Sequence, residues 1–189
     1  HVVAVDSVKA EGAKDMKLIV PKTTAKKLIS MGVIDDVTLT YTKNSAVFKS
    51  AEYTIYTRLI EGKYFAYQKM FTEGEINTCA SRTALIGAMT RAKMCTEEKQ
   101  PAVFQIEDDV LNISIRDKLA DYQEQVPLQE TVCKSIRLGF DSRLVLETLK
   151  AFTCDNIALG FTSPRTPMIV EAEDSDMKAM VLPVAIREA

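Results

Sequence analysis

Polar and apolar residues follow the same rhythm in three blocks along this chain. In the first, 17–20 alternates as a short strand and Pro21-Lys22-Thr23 marks a turn. The spacing then predicts a helix over 23–31 with Thr23 as its N-cap. Three strands are predicted after it, at 37–42, 45–49 and 53–59, with Asn44 in the tight turn. The second block opens with a strand at 75–79. Its helix, 81–95, places Leu85, Ala88, Met89 and Ala92 on one apolar stripe. Strands follow at 102–106, 110–116 and 122–128, with Glu107-Asp108-Asp109 as a hairpin turn. The third block has a strand at 137–140, a helix at 143–152 capped by Asp141 or Ser142, and strands at 157–162, 168–171 and 179–184. Pro164 and Pro167 punctuate its connection. One more strand, 2–8, precedes the first block.

The blocks are copies in class if not in identity. Residues 17–42 and 137–162 agree at a constant offset of 120. Lys17 falls on Arg137, Leu18 on Leu138, Val20 on Phe140, Ile29 on Leu149 and Asp35 on Asp155. Each copy is a βαβββ unit, which predicts an α+β fold of antiparallel sheets with helices on one side. A half-unit of this kind leaves its apolar helix face bare and needs a partner to cover it. Two consecutive units over 74–189 close a domain, and 1–73 hold one unpaired half-unit. The odd count predicts a further half-unit ahead of His1.

Composition narrows the chemistry. The 189 residues are 47% hydrophobic and 26% charged, the mix of a globular protein. No run of eighteen apolar residues occurs, so no membrane-spanning helix is expected, and neither is a secretory leader. The one histidine, His1, excludes a multi-histidine metal site or a histidine triad elsewhere in the sequence. Cys79, Cys95, Cys133 and Cys154 are too scattered for a zinc motif and read as reduced thiols of a cytoplasmic protein. No glycine-rich nucleotide cradle is present, and no cofactor is expected. The net charge of −2 argues against a protein that coats nucleic acid. The balance is uneven, however: residues 1–72 carry eleven Lys/Arg against seven Asp/Glu, and 73–189 carry thirteen against nineteen. A local basic face is compatible with an acidic whole.

Four segments then resemble one family. Thr57-Arg58-Leu59-Ile60-Glu61-Gly62-Lys63-Tyr64-Phe65-Ala66-Tyr67 resembles the S-[KR]-L-[IV]-[DE]-G-x-[FY]-P-D-Y segment of the bacterial DNA polymerase III beta subunit, the sliding clamp. His1-Val2-Val3-Ala4 resembles the end of its D-G-H-R-L-A motif. Leu18-Ile19-Val20-Pro21-Lys22 resembles its V-I-V-P-[RK] turn, and Met180-Val181-Leu182-Pro183-Val184 its terminal V-x-M-P-[MV]-R-L. The resemblance implies a three-domain subunit with antiparallel sheets outside and helices inside. Two such subunits close head to tail as a homodimeric ring around duplex DNA. On that mapping, 1–73 is the second half of the middle domain and 74–189 the C-terminal domain.

The implied function is processivity without a catalytic site. Lys and Arg on the channel helices would meet phosphates without reading bases. The candidates are Lys22 and Lys26 on the first helix, Arg82, Arg91 and Lys93 on the second, and Arg143 and Lys150 on the third, with Glu147 between the last two. Charge pattern alone reads these as solvated helix faces, and the resemblance changes that chiefly for Lys22. The family also implies a groove that takes short hydrophobic peptides of the replicative polymerase, the clamp loader and repair proteins. Its matching positions are His1, Val2, Val3, Phe65, Lys69, Met70, Pro164, Thr166, Met180, Leu182, Pro183 and Val184. Periodicity alone reads Val3, Met70 and Leu182 as core. Several positions depart from the motifs. Val2 replaces arginine, Phe65-Ala66 replaces Pro-Asp, Ala185-Ile186 replaces Arg-Leu, and Arg187-Glu188-Ala189 extends the end.

Two other readings compete. A β-rich module could bind peptides without encircling DNA. An enzyme could use Glu107-Asp108-Asp109, or Glu171, Glu173, Asp174 and Asp176, to hold a hard metal, although neither spacing fits a metal loop.

Overall fold

The computed structural model describes residues 1–9, 15–32, 36–95, 100–116, 121–172 and 174–186. Asp35, Glu173 and the 187–189 extension lie outside the described residues. In chain order the elements are β1 (Val2–Val5), α1 (Lys22–Ser30), β2 (Thr38–Tyr41), β3 (Ser45–Lys49), β4 (Thr54–Arg58), a 3-10 turn (Tyr67–Met70) and β5 (Ile76–Ser81). They continue with α2 (Arg82–Met94), β6 (Ala102–Arg116), β7 (Asp121–Phe140), α3 (Ser142–Ala151), β8 (Asn156–Phe161), β9 (Met168–Glu171) and β10 (Lys178–Val181). The α+β class follows directly, and every pairing between these strands is antiparallel. The chain divides into two compact units, 10–66 and 1–9 with 67–189. The change of compact unit comes at 66/67, ahead of the expected domain boundary at 73/74, and the first strand is built into the second unit.

The 10–66 unit is a three-stranded meander, β2-β3-β4, with α1. Successive side chains of a strand point to opposite faces. Leu39, Phe48 and Ile55 are cross-strand neighbours on one face, and Thr57 lies on that same face next to Ala46. The Thr24 hydroxyl meets the Thr57 hydroxyl at 2.7 Å, a buried bond that fixes α1 to β4. Two expectations fail here. Residues 17–20 are not a strand; the Ile60 amide donates to the Ile19 carbonyl there at 2.9 Å. Thr23 is not the N-cap, because the helix begins one residue earlier behind Pro21, whose φ of −58° suits a helix start and which offers no capping side chain.

The larger unit is a seven-stranded sheet in the order β1-β10-β9-β8-β5-β7-β6. Helix α2 packs on α3 and on β5, β6 and β7, while α3 packs on β10 and β1. The expected stripe Leu85, Ala88, Met89 and Ala92 is buried, and so are Val145, Leu146 and Leu149 of α3. Phe104 and Phe140 meet edge to face at 5.1 Å beneath them.

Strand β6 corrects the hairpin expected at Glu107-Asp108-Asp109. Its inward positions are Ala102, Phe104 and Ile106, then Leu111, Ile113 and Ile115. The parity changes once, and a continuous strand can keep both halves facing the core only through a bulge. The ladder to β7 slips between Ile106 and Val110, and Asp108 adopts a φ of +51°, which aspartate tolerates better than most residues. β7 also runs unbroken through the two separate strands expected at 122–128 and 137–140.

Phe104→Ala should lower unfolding free energy by about 3–5 kcal/mol in denaturant titration. Ile29→Ala, at a site 79% exposed, should stay within about 0.5 kcal/mol of the parent.

Candidate functional site

The chain folds its first strand and its last segment onto one sheet. Val2 faces Val181 and Val3 faces Met180 across the ladder, and the Leu182 amide donates to the His1 carbonyl at 2.8 Å. Beyond Leu182 the chain turns onto β7, where the Val184 amide donates to the Gly139 carbonyl at 2.8 Å. Only glycine permits this approach. A Cβ at residue 139 would lie 2.8 Å from the Val184 carbonyl oxygen and 3.0 Å from Ile186 Cγ1. The result is a recess of about 400 Å³ lined by Leu138, Gly139, Pro164, Pro183, Val184 and Ile186, together with Arg137 and Arg165.

The twelve groove residues therefore fall into separate places. His1, Val2, Val3, Met180 and Leu182 meet along the β1–β10 pairing, with Met180 buried. Pro164, Pro183 and Val184 line the recess. Thr166 closes the turn after β8 by accepting from the Ser163 amide at 2.9 Å. Lys69 and Met70 sit on the 3-10 turn and do not line the recess. Phe65 belongs to the 10–66 unit, where it is exposed and stacks on Tyr64 at 4.9 Å. Arg137 and Arg165 were not singled out from the sequence. Their signals were an outward arginine between the inward Ile136 and Leu138, and an arginine inside a proline-punctuated turn.

The basic candidates differ in what already engages them. Lys22 and Lys26 are exposed on α1, and Lys150 is exposed on α3 beside Glu147. Arg82 donates from Nε to the Cys154 carbonyl at 2.5 Å, so it pins α2 to the start of β8. Arg91 forms a two-point fork on Glu124, Nε to Oε2 at 2.8 Å and Nη2 to Oε1 at 2.5 Å. The Tyr122 hydroxyl lies 2.5 Å from the same Oε2 and 2.9 Å from the Ala88 carbonyl oxygen. The Arg91 hydrogen bonds hold the Glu124 carboxyl below its usual range, while burial and then Glu124 push the Tyr122 phenol up. Lys93 is exposed near the end of α2. Arg143 pairs with Asp141 at 3.3 Å.

Asp141 also caps α3, accepting from the Arg143 amide at 2.9 Å. Partial burial alone would raise its carboxyl. The side-chain and backbone bonds from Arg143 outweigh that and lower it.

Charge is segregated by element. The three helices carry eight Lys/Arg and a single acid, Glu147, in a chain whose net charge is −2. The opposite holds at the proposed metal clusters. Glu107, Asp108 and Asp109 are exposed along β6, and Glu171 is committed to Lys178 at 2.6 Å. Among the described residues no group of three metal-ligating side chains converges.

The fold and the sequence both have known relatives. The family described as DNA polymerase III beta subunit, C-terminal domain, matches residues 71–185. A beta sliding clamp of Staphylococcus aureus is 24% identical over 97% of the chain and 51% of its own length. One from Halalkalibacterium halodurans is 25% identical over 71% of the chain and 37% of its own length. Among solved structures, the Pseudomonas aeruginosa DNA polymerase III subunit beta superposes with a TM-score of 0.89 at 21% identity, over 98% of this chain and 53% of that one. The Caulobacter crescentus sliding clamp gives 0.88 at 18% identity, over 98% and 51%. The chain spans about half the length of these full-length relatives.

Asp141→Ala should cost about 1 kcal/mol of stability at neutral pH. The folded carboxyl is depressed, so its contribution is complete above the unfolded value near 4. It is lost as pH falls through the lower folded value. Parent and variant melting curves should therefore converge in strong acid.

Proposed function

The chain belongs to the DNA polymerase III beta subunit family, the sliding clamps, and on that premise we propose that it is part of a replication processivity factor. In this reading, 1–73 is the second half of the middle clamp domain and 74–189 is the C-terminal domain. The full-length subunit closes as a homodimeric ring around duplex DNA in the bacterial cytoplasm. It holds the replicative polymerase, the clamp loader and repair proteins through short hydrophobic peptide motifs. It performs no chemistry of its own.

The observation that carries the DNA half of this reading is the charge segregation. Eight cations against one acid on three helices make those elements basic within an acidic protein. Lys22 adds a second argument. It opens the first turn of α1, which contains no acid, and a cation there opposes the helix dipole. Local stability disfavours that placement and phosphate contact rewards it. The mechanism is sequence-blind: lysines release counterions from the phosphates, and ring topology supplies the retention. Arg91 contributes little in this account, since Glu124 already neutralises it.

The peptide half rests on the recess beside Gly139, apolar in most of its lining, in which Pro164, Pro183 and Val184 match positions of the family's groove.

Binding of the chain to a short fluorescent duplex, measured by anisotropy across salt concentrations, tests the DNA half. The affinity should fall with salt, and Lys22→Ala, Lys26→Ala and Lys150→Ala should each reduce the log–log slope by up to about 0.9. Arg91→Ala should leave the slope nearly unchanged. Salt-independent binding, or lysine variants that match the parent, would favour a peptide-binding module that never encircles DNA.

A further inference from the structure

The recess on β7 carries more positive charge than its apolar lining accounts for. Arg137 comes from β7 and Arg165 from the turn after β8, so two separate elements bring cations to the same small space. Both residues are exposed. None of the residues lining the recess is acidic, and neither arginine forms an ion pair among the described residues. This contrasts with Arg91 and Arg143, each committed to a carboxylate of its own unit.

The wall between the two arginines is fixed. The Val184 amide bonds to the Gly139 carbonyl, and the packing at Gly139 leaves no space for a Cβ. The Ser163–Thr166 turn that carries Arg165 is closed by bonds from the Ser163 amide to the Thr166 hydroxyl (2.9 Å) and from the Thr166 hydroxyl to the Ser163 carbonyl (3.0 Å). Two long cationic side chains thus flank an apolar surface whose backbone is held in place. Guanidinium groups favour the planar, two-point recognition of a carboxylate.

We propose that the peptide bound here carries a carboxylate next to its apolar side chains, and that Arg137 and Arg165 recognise it. The inference rests on the reading of this recess as the peptide groove. The carboxylate is an aspartate or glutamate side chain within the peptide, set beside the apolar side chains that the recess holds and complementary to the two arginines.

Four fluorescein-labelled hexapeptides separate the cases. All share leucine and phenylalanine at fixed positions, one remaining position is aspartate or asparagine, and each version has a free or an amidated C-terminus. Anisotropy titrations against the full chain should give roughly five- to tenfold tighter binding for the aspartate peptides than for the asparagine ones. A preference that follows the free C-terminus and not the aspartate would overturn the assignment. Arg165→Ala and Arg137→Ala should each erase that preference, and Arg165→Glu should reverse it. Equal affinities for all four peptides, still lost in Val184→Asp and Ile186→Asp variants with parental circular dichroism, would overturn the carboxylate proposal and leave the groove standing. Failure of every peptide to bind, or binding indifferent to Val184→Asp and Ile186→Asp, would overturn the groove reading and this proposal with it.

Discussion

Helices α2 and α3 share one apolar core because neither could bury its stripe alone. A helix lying on three or four short strands covers the sheet but leaves its own flank bare, and pairing two such half-units removes that flank from water. Leu85, Met89, Val145 and Leu149 are buried in this way over a single antiparallel sheet. The twenty-residue β7 is the covalent form of the same constraint. Its first half finishes one half-unit and its second half starts the next, so the two halves cannot fold into separate sheets. Among the described residues α1 has no helix partner within its own unit, and Ile29 is exposed.

This arrangement also sets where function can sit. With the apolar stripes turned toward the core, the remaining helix faces are free to carry charge, and that charge is nearly all positive. The structure grades those cations. Arg82 acts as a pin, Arg91 and Arg143 are held by Glu124 and Asp141, and Lys22, Lys26 and Lys150 remain exposed. On the sheet, the terminal segment reaches the recess only because residue 139 has no side chain. The proposed DNA contacts and the proposed peptide groove thus use different elements and do not compete for the same residues.

Much of this was legible in the residues. Strands β3 and β9 have the limits that alternation predicts, and the stripe of α2 is buried as its spacing requires. Asp141 caps α3, one of the two residues expected there. The failures have physical causes. Alternation at 17–20 met no neighbouring strand among the described residues, and a pattern of period two does not make a strand without a ladder. Glu107-Asp108-Asp109 has the composition of a turn, but the change of inward parity from Ile106 to Leu111 was the sign of a bulge within one strand. The pairing of β1 with β10 was not legible in the alternation, because it depends on a contact between residues more than 170 positions apart; only the resemblance grouped His1, Val2 and Val3 with Met180 and Leu182. The site residues were legible mainly through family resemblance. Arg137, Arg165 and the Glu124 fork on Arg91 became apparent only with the strands in register.

Amide-resolved NMR of the chain, titrated separately with a short duplex and with an apolar acidic peptide, tests the central claim most directly. The account predicts that duplex shifts the amides of α1 and the exposed face of α3, while peptide shifts 137–139, 163–166 and 183–186. The two sets should barely overlap. Duplex-induced shifts centred on the acidic β6 strand instead of the helices, or a single set of residues responding to both ligands, would contradict it.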